Sequence, residues 1–225
     1  MYKTTEFIAL SGMPRTGSTL LTSILSQNPE IHAEGLSPVM RIMKNSHDSL
    51  KYELPHIKAG KKEQDFAYTI RNMYKNYYAD VNGKYIFDKH RSWVIPIHED
   101  LIKQYIRHDP KLIIQMRDFD EIQESLKRLP GAKKELEMVG NITREWYDKL
   151  VDLRKQNLPS HLWIDYNDLV EDTPKIIKSI YDFCEIPFFK GHYYENISNP
   201  HLIDDEVYKI KGLHDVRSSI GFREK

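Results

Sequence analysis

Gly12 and Gly17 stand five residues apart in Ser11-Gly12-Met13-Pro14-Arg15-Thr16-Gly17-Ser18-Thr19, the interval of the phosphate-binding turn G-x-x-x-x-G-K-[ST]. Ser18 occupies the place where that turn carries its lysine. The backbone amides after Gly12 can still form a nest for an anion at a helix start, where the helix dipole favours negative charge. What is missing is the cation that reaches the outer phosphates of a nucleoside triphosphate. The turn therefore reads as the seat of a phosphate-bearing ligand other than ATP or GTP. Arg15 is its one permanent charge, and Thr16, Ser18 and Thr19 supply hydroxyls.

Polar residues recur behind each later apolar run. Glu34 follows Ile31–Ala33, and Asp88-Lys89-His90-Arg91 follow Tyr85–Phe87. Arg117-Asp118 follow Leu112–Met116, with Ser125 eight residues after Arg117, and Asp165-Tyr166-Asn167-Asp168 follow Leu162–Ile164. One charged residue behind a buried strand is ordinary. The same feature at five strand ends, beside an anion cradle, is better explained by a shared polar ligand. Lys89 and Arg117 each keep a plainer reading, as a solvated strand-end lysine and as an ion-pair partner of Asp118 or Asp120. His47, His56, His98 and His108 show no metal-ligand spacing and read as surface residues, whereas His32 reads as a packed or edge histidine.

The elements that must position these groups follow from the apolar pattern. Phe7–Leu10, Ile31–Ala33, Tyr85–Phe87, Leu112–Met116 and Leu162–Ile164 read as buried parallel strands. Between them, helical spacing predicts helices over Ser18–Gln27, Pro38–Ser46, Glu63–Tyr78, Pro96–Arg107, Asp120–Leu129 and Ala132–Gln156, and from Thr173 to Cys184. On Glu63–Tyr78 a stripe of Phe66, Ile70, Met73 and Tyr77 reads as core packing. Alternating strands and helices argue for a P-loop-like three-layer α/β/α sandwich with a mostly parallel sheet. Ligand then belongs at the C-terminal strand ends.

The chain has 225 residues, 40% of them hydrophobic, enough for one substantial domain spanning 1–225. Its 33 basic and 33 acidic residues balance, so no net field draws it to nucleic acid. The single cysteine, Cys184, excludes an internal disulfide and reads as a buried helical thiol. No apolar run approaches the ~18 residues of a membrane span. The first strand begins too early for a signal peptide, so a cytoplasmic protein is expected.

These residues carry a family resemblance. Pro14-Arg15-Thr16-Gly17-Ser18-Thr19-Leu20-Leu21 behind a strand resembles the 5′-phosphosulfate loop of sulfotransferases, which use 3′-phosphoadenosine 5′-phosphosulfate as donor. Ile113-Ile114-Gln115-Met116-Arg117 with Ser125 is similar to their 3′-phosphate signature, and Phe87-Asp88-Lys89 to their strand-end lysine. Trp163–Leu169 with Thr173-Pro174, and Leu213–Arg217, are similar to further family segments, nearest the bacterial and tyrosylprotein branch. The resemblance implies that Arg15, Thr16, Gly17, Ser18 and Thr19 hold the 5′-phosphate end. It implies that Arg117 and Ser125 hold the 3′-phosphate, and that Lys211 in a late loop covers the nucleotide. Lys89 would stabilise the leaving phosphate, and no metal is required. The base is Glu34 or, as a rival, His90; the two stay open, together with the possibility of neither. Adenosine 3′,5′-bisphosphate would be the product. The acceptor hydroxyl or amine could belong to a peptide tyrosine, carbohydrate, lipid or small metabolite, met by segments 36–80 and 187–225. Two other readings stand beside this one: a P-loop kinase or nucleotide hydrolase, with Asp88 as magnesium ligand, and a non-catalytic adenosine bisphosphate-binding protein.

Overall fold

The computed structural model describes residues 6–33, 35–60, 62–128 and 133–198. Its strands are β1 (Glu6–Gly12), β2 (Ile31–Ala33), β3 (Tyr85–Lys89), β4 (Lys111–Met116) and β5 (His161–Asp165). They form one sheet in the order β2-β3-β1-β4-β5, and every pairing is parallel. The helices are α1 (Ser18–Leu25), α2 (Val39–Ala59), α3 (Glu63–Tyr77), α4 (Pro96–Leu101), α5 (Phe119–Lys127), α6 (Lys133–Lys155), α7 (Tyr166–Glu171) and α8 (Thr173–Cys184).

Successive strand residues project to opposite faces of a sheet, and here both faces are apolar. Phe7, Ala9, Ile86, Leu112 and Ile114 pack under Met40 and Met43 of α2, Tyr74 of α3 and Leu150 of α6. Ile8, Leu10, Phe87 and Ile113 pack under Leu21 and Ile24 of α1 and Ile177 and Ile180 of α8. The result is the expected three-layer P-loop-like α/β architecture. From β1 the chain crosses to edge strand β2, returns through β3, and then passes β1 to reach β4. The connections therefore diverge at the C-terminal end of β1, which is where an open parallel sheet leaves a ligand crevice.

All five strands lie where the apolar runs place them; β2 has the expected bounds and the other four are longer by one to three residues. Helices differ more. α2 continues beyond Ser46 to Ala59, through Pro55. Its second half, including Tyr52, Glu53, Leu54, Pro55 and His56, is exposed, so no core stripe marks it in the sequence. The stripe on α3 is rotated: Ile70 and Tyr74 are buried, while Tyr77 is 42% exposed. The helix expected over Pro96–Arg107 widens after Leu101 into a π-helical turn, Ile102–Ile106, where Arg107 N–H reaches back to Ile102 O at 2.9 Å. α7 lies in a segment that carried no helical signal, being only six residues long.

Candidate active site

The turn after β1 holds its shape by backbone geometry that only some residues accept. Gly12 has φ +137°, and a Cβ there would lie 2.3 Å from the carbonyl oxygen of Gln115 on β4. Gly17, at φ +81°, precedes α1, and a Cβ there would lie 2.9 Å from Cδ2 of Tyr166. Between them Arg15 also adopts the left-handed region, at φ 63°. Non-glycine residues in that region cluster at functional sites because the surroundings must hold them there. Those surroundings are visible. Thr16 Oγ1 donates to Met13 O at 2.9 Å, and Gln115 Nε2 donates to Thr16 O at 3.3 Å. Met13 N–H donates to Gln115 O at 3.4 Å. Ser18 and Thr19 begin α1, where their carbonyl oxygens accept from Thr22 Oγ1 at 3.1 Å each.

β3 runs beside β1 with Leu10 in register with Lys89. Lys89 is 9% exposed and lines one pocket with Ser11, Gly12, Met13, Thr16, Ser18 and Arg91. The third strand thus brings a cation to the turn that lacks its own lysine. Ser11 Oγ donates to Arg91 O at 2.6 Å and His90 N–H donates to Leu10 O at 3.0 Å, tying the two strand ends together. Asp88 faces away, fully buried. Its two oxygens accept from Tyr78 Oη at 2.5 Å and Trp93 Nε1 at 2.6 Å.

His90 is held by Ser92, whose backbone N–H lies 3.3 Å from Nδ1 and whose Oγ lies 2.7 Å from it. A backbone N–H can only donate, so Nδ1 is the acceptor and the neutral ring carries its proton on Nε2. Burial first, then the charges of Arg41, His98 and Arg91, lower its pKa from 6.5 to about 4. His98, expected at the surface, is buried, and its Nδ1 is 2.7 Å from Ser92 O.

The fourth strand end completes the arrangement. Arg117 Nη1 donates to Arg15 O at 3.1 Å, and its Nε donates to Glu121 Oε2 at 2.9 Å. Its guanidinium carbon lies 4.0 Å from the centre of the Tyr166 ring. Glu121 is therefore the ion-pair partner, not Asp118 or Asp120; Asp118 instead caps α5 by accepting from the N–H groups of Asp120 and Glu121. Ser125 Oγ accepts from Arg15 Nε at 3.1 Å.

Arg15, Thr16, Gly17, Ser18, Thr19, Lys89, His90, Arg117 and Ser125 thus gather at the C-terminal ends of β1, β3 and β4. Glu34 and Lys211 lie outside the described residues. Tyr166 and Gln115 hold the site together, although neither is singled out as a site residue on sequence grounds. Gln115 sits inside an apolar strand, which is its signal: a buried amide there needs partners.

Among the described residues no helix is long and apolar enough to cross a membrane. No curated protein matches the sequence. Solved structures do. The sulfotransferase domain of the Synechococcus PCC 7002 olefin synthase superposes with a TM-score of 0.56 at 21% identity, over 84% of this chain and 76% of that one. The sulfotransferase domain from the curacin biosynthetic pathway gives 0.56 at 17% identity, over 83% and 75%. Sulfotransferase STF9 from Mycobacterium avium gives 0.51 at 16%, over 83% and 65%. At these identities the likeness shows the fold. The model of the sulfotransferase family matches residues 8–190, most of the chain including the turn, Lys89, Arg117 and Ser125, and on that match the chain belongs to the sulfotransferase family.

Proposed function

We propose that the protein transfers a sulfuryl group from 3′-phosphoadenosine 5′-phosphosulfate to a hydroxyl or amine of an acceptor, without a metal, in the cytoplasm. The observation that carries this reading is the cross-connection of the turn to the second signature. Arg117 donates to Arg15 O, and Arg15 donates to Ser125, while Lys89 lines the pocket beside the turn. A donor nucleotide with phosphates at both ends needs two such anchors at a fixed separation. The residues present suit it. Backbone amides at the start of α1 favour a 5′-phosphate, and forked guanidinium donors favour a 3′-phosphate.

Sulfuryl transfer in line breaks the sulfur–oxygen bond to the phosphate as the acceptor oxygen or nitrogen bonds to sulfur. Positioning and electrostatics should supply most of the rate. Lys89 balances the charge gathering on the phosphate oxygen that leaves. The acceptor proton goes to a base, and Glu34 is preferred. His90 is less suited, because its lone pair at Nδ1 is engaged by Ser92 and its lowered pKa makes it a weak base. Segments 36–80 and 187–225 are assigned to the acceptor side, with Lys211 over the nucleotide.

A kinase reading would make Asp88 a magnesium ligand. The donors from Tyr78 and Trp93 at both its oxygens favour a structural role instead. The test is a thermal shift with adenosine 3′,5′-bisphosphate and with ADP, followed by transfer of labelled sulfate from the donor to a library of acceptors. A rise in Tm with the bisphosphate and transfer to an acceptor are expected. Stabilisation by ADP with magnesium alone would overturn the reading, and bisphosphate binding without any transfer would leave a binding protein.

A further inference from the structure

Positive charge gathers around the end of β3 from two elements. Arg91, exposed and two residues beyond Lys89, lines the same pocket as that lysine. The first turn of α2 packs onto this strand end. Ser37 N–H donates to Lys89 O at 3.0 Å, Val39 N–H donates to Ser37 Oγ at 3.0 Å, and Met40 Sδ lies 4.0 Å from Ser92 Oγ. Arg41 follows Met40 and is exposed. Besides burial, the charges of Arg41, His98 and Arg91 bear on His90, so both guanidinium groups stand within electrostatic reach of its ring. Arg41 is poorly placed for a structural role. It is the third residue of α2, whose first turn has no acidic residue and whose cap makes no side-chain hydrogen bond. A cation there opposes the helix dipole. Lys44 is paired with Asp48, whereas Arg41 has no ion-pair partner among the described residues.

We propose, resting on the donor reading above, that Arg41, with Arg91, binds an oxyanion of the acceptor, and that the acceptor is a hydroxyl or amine compound carrying its own carboxylate or phosphate. The donor brings phosphate and sulfuryl oxygens to the same pocket, so an anionic acceptor approaches against like charge. Guanidinium groups at the point of entry offset that repulsion. By forked donation they also turn the acceptor so that its nucleophile meets sulfur in line. For a neutral acceptor the same two cations would have nothing to bind.

The experiment measures transfer of labelled sulfate to acceptors matched except for the oxyanion: 4-hydroxybenzoate against phenol, glucose 6-phosphate against glucose, and O-phosphoethanolamine against ethanolamine. In the wild type an anionic member should be favoured over its neutral partner roughly 10-fold in kcat/KM, chiefly through KM, the size of one charge-assisted contact. Arg41→Gln should bring that ratio to within about two-fold, and Arg41→Lys should restore part of it, keeping the charge but not the fork. The affinity of Arg41→Gln for adenosine 3′,5′-bisphosphate should stay within about two-fold of the wild type, since the amide cradle is untouched. If no anionic member is turned over, or if every pair reacts equally, the proposal is overturned, while bisphosphate binding keeps the donor reading standing. A ratio unaltered in Arg41→Gln would place the anion seat elsewhere, and a matching loss of bisphosphate affinity would return Arg41 to the donor; either overturns the proposal. A wild-type protein that does not bind the bisphosphate would instead sink the donor reading, and the proposal with it.

Discussion

Asp88 and Lys89 are consecutive on β3 and project to opposite sides of it, the carboxylate into the core and the ammonium to the pocket beside the turn. Tyr78 and Trp93 donate to the carboxylate and fix the strand end from which Lys89 extends. In Trp93→Phe the buried carboxylate loses one donor, which should cost about 1–3 kcal/mol in urea unfolding, because an unmet buried acceptor is expensive. An unchanged midpoint would mean that water satisfies Asp88 instead. Lys89→Ala should leave nucleotide affinity nearly intact and reduce turnover on the order of 10²–10³-fold, as loss of a group acting on transition-state charge does. Equal losses in affinity and turnover would make Lys89 a binding residue only. Tyr166 acts through Arg117, whose guanidinium lies 4.0 Å from its ring centre. Tyr166→Phe keeps that face and should bind adenosine 3′,5′-bisphosphate as the wild type does, whereas Tyr166→Leu should weaken binding roughly five-fold, the order of one partly desolvated cation–π contact. If the phenylalanine variant were as weak as the leucine one, the hydroxyl and not the ring face would be responsible.

At the scale of elements, the turn between β1 and α1 depends on how closely β4 and α7 approach it. A methyl group at position 12 would meet the backbone of β4, which cannot move without breaking the sheet. Gly12→Ala should therefore destabilise the fold by several kcal/mol, by strain and a forced positive φ together, visible as a lowered Tm. At position 17 the obstacle is the side chain of Tyr166, which can turn aside. Gly17→Ala should thus cost less stability than Gly12→Ala but more nucleotide affinity, because the displaced ring also carries Arg117. The reverse ranking would show that the strand contact is soft. The sequence could announce this turn because its glycine interval is local, and it could announce the strands because β1, β3 and β4 are buried on both faces and read as largely apolar runs, with shorter apolar segments at β2 and β5. It could not announce the meeting of Tyr166 with Gly17, or of Arg15 with Ser125. Those contacts join residues 110 or more positions apart and are set by the left-handed backbone of Arg15 and by a six-residue helix too short to leave a periodic trace. The exposed half of α2 escaped for the converse reason: solvent on most sides of a helix leaves no stripe to read.

Across the whole molecule, the response to acid follows from where the fold buries its titrating groups. His90, with its pKa near 4, and His98 and His192, also lowered by burial, are held neutral in the native state. A histidine whose folded pKa lies below its unfolded value binds its proton preferentially in the unfolded chain. Its contribution to stability is complete above the unfolded value of 6.5 and is lost as pH falls from there towards about 4. Glu99 adds to the trend from the other side. Its carboxyl is lowered first by the hydrogen bond to His161 and then by Lys103, so it stabilises the fold above its ordinary range and loses that contribution as acid protonates it. The two kinds of group act in the same direction, which predicts a urea midpoint that is level at neutral pH and declines steadily below pH 6.5. His90→Asn should flatten the part of that decline between pH 6.5 and 4, because the substituted side chain has no proton to take up. The slope is the decisive quantity: a variant with a lower midpoint but an unaltered dependence on pH would show that burial and the charges of Arg41, His98 and Arg91 do not hold His90 neutral, and that the acid sensitivity of the fold resides in His98, His192 and Glu99.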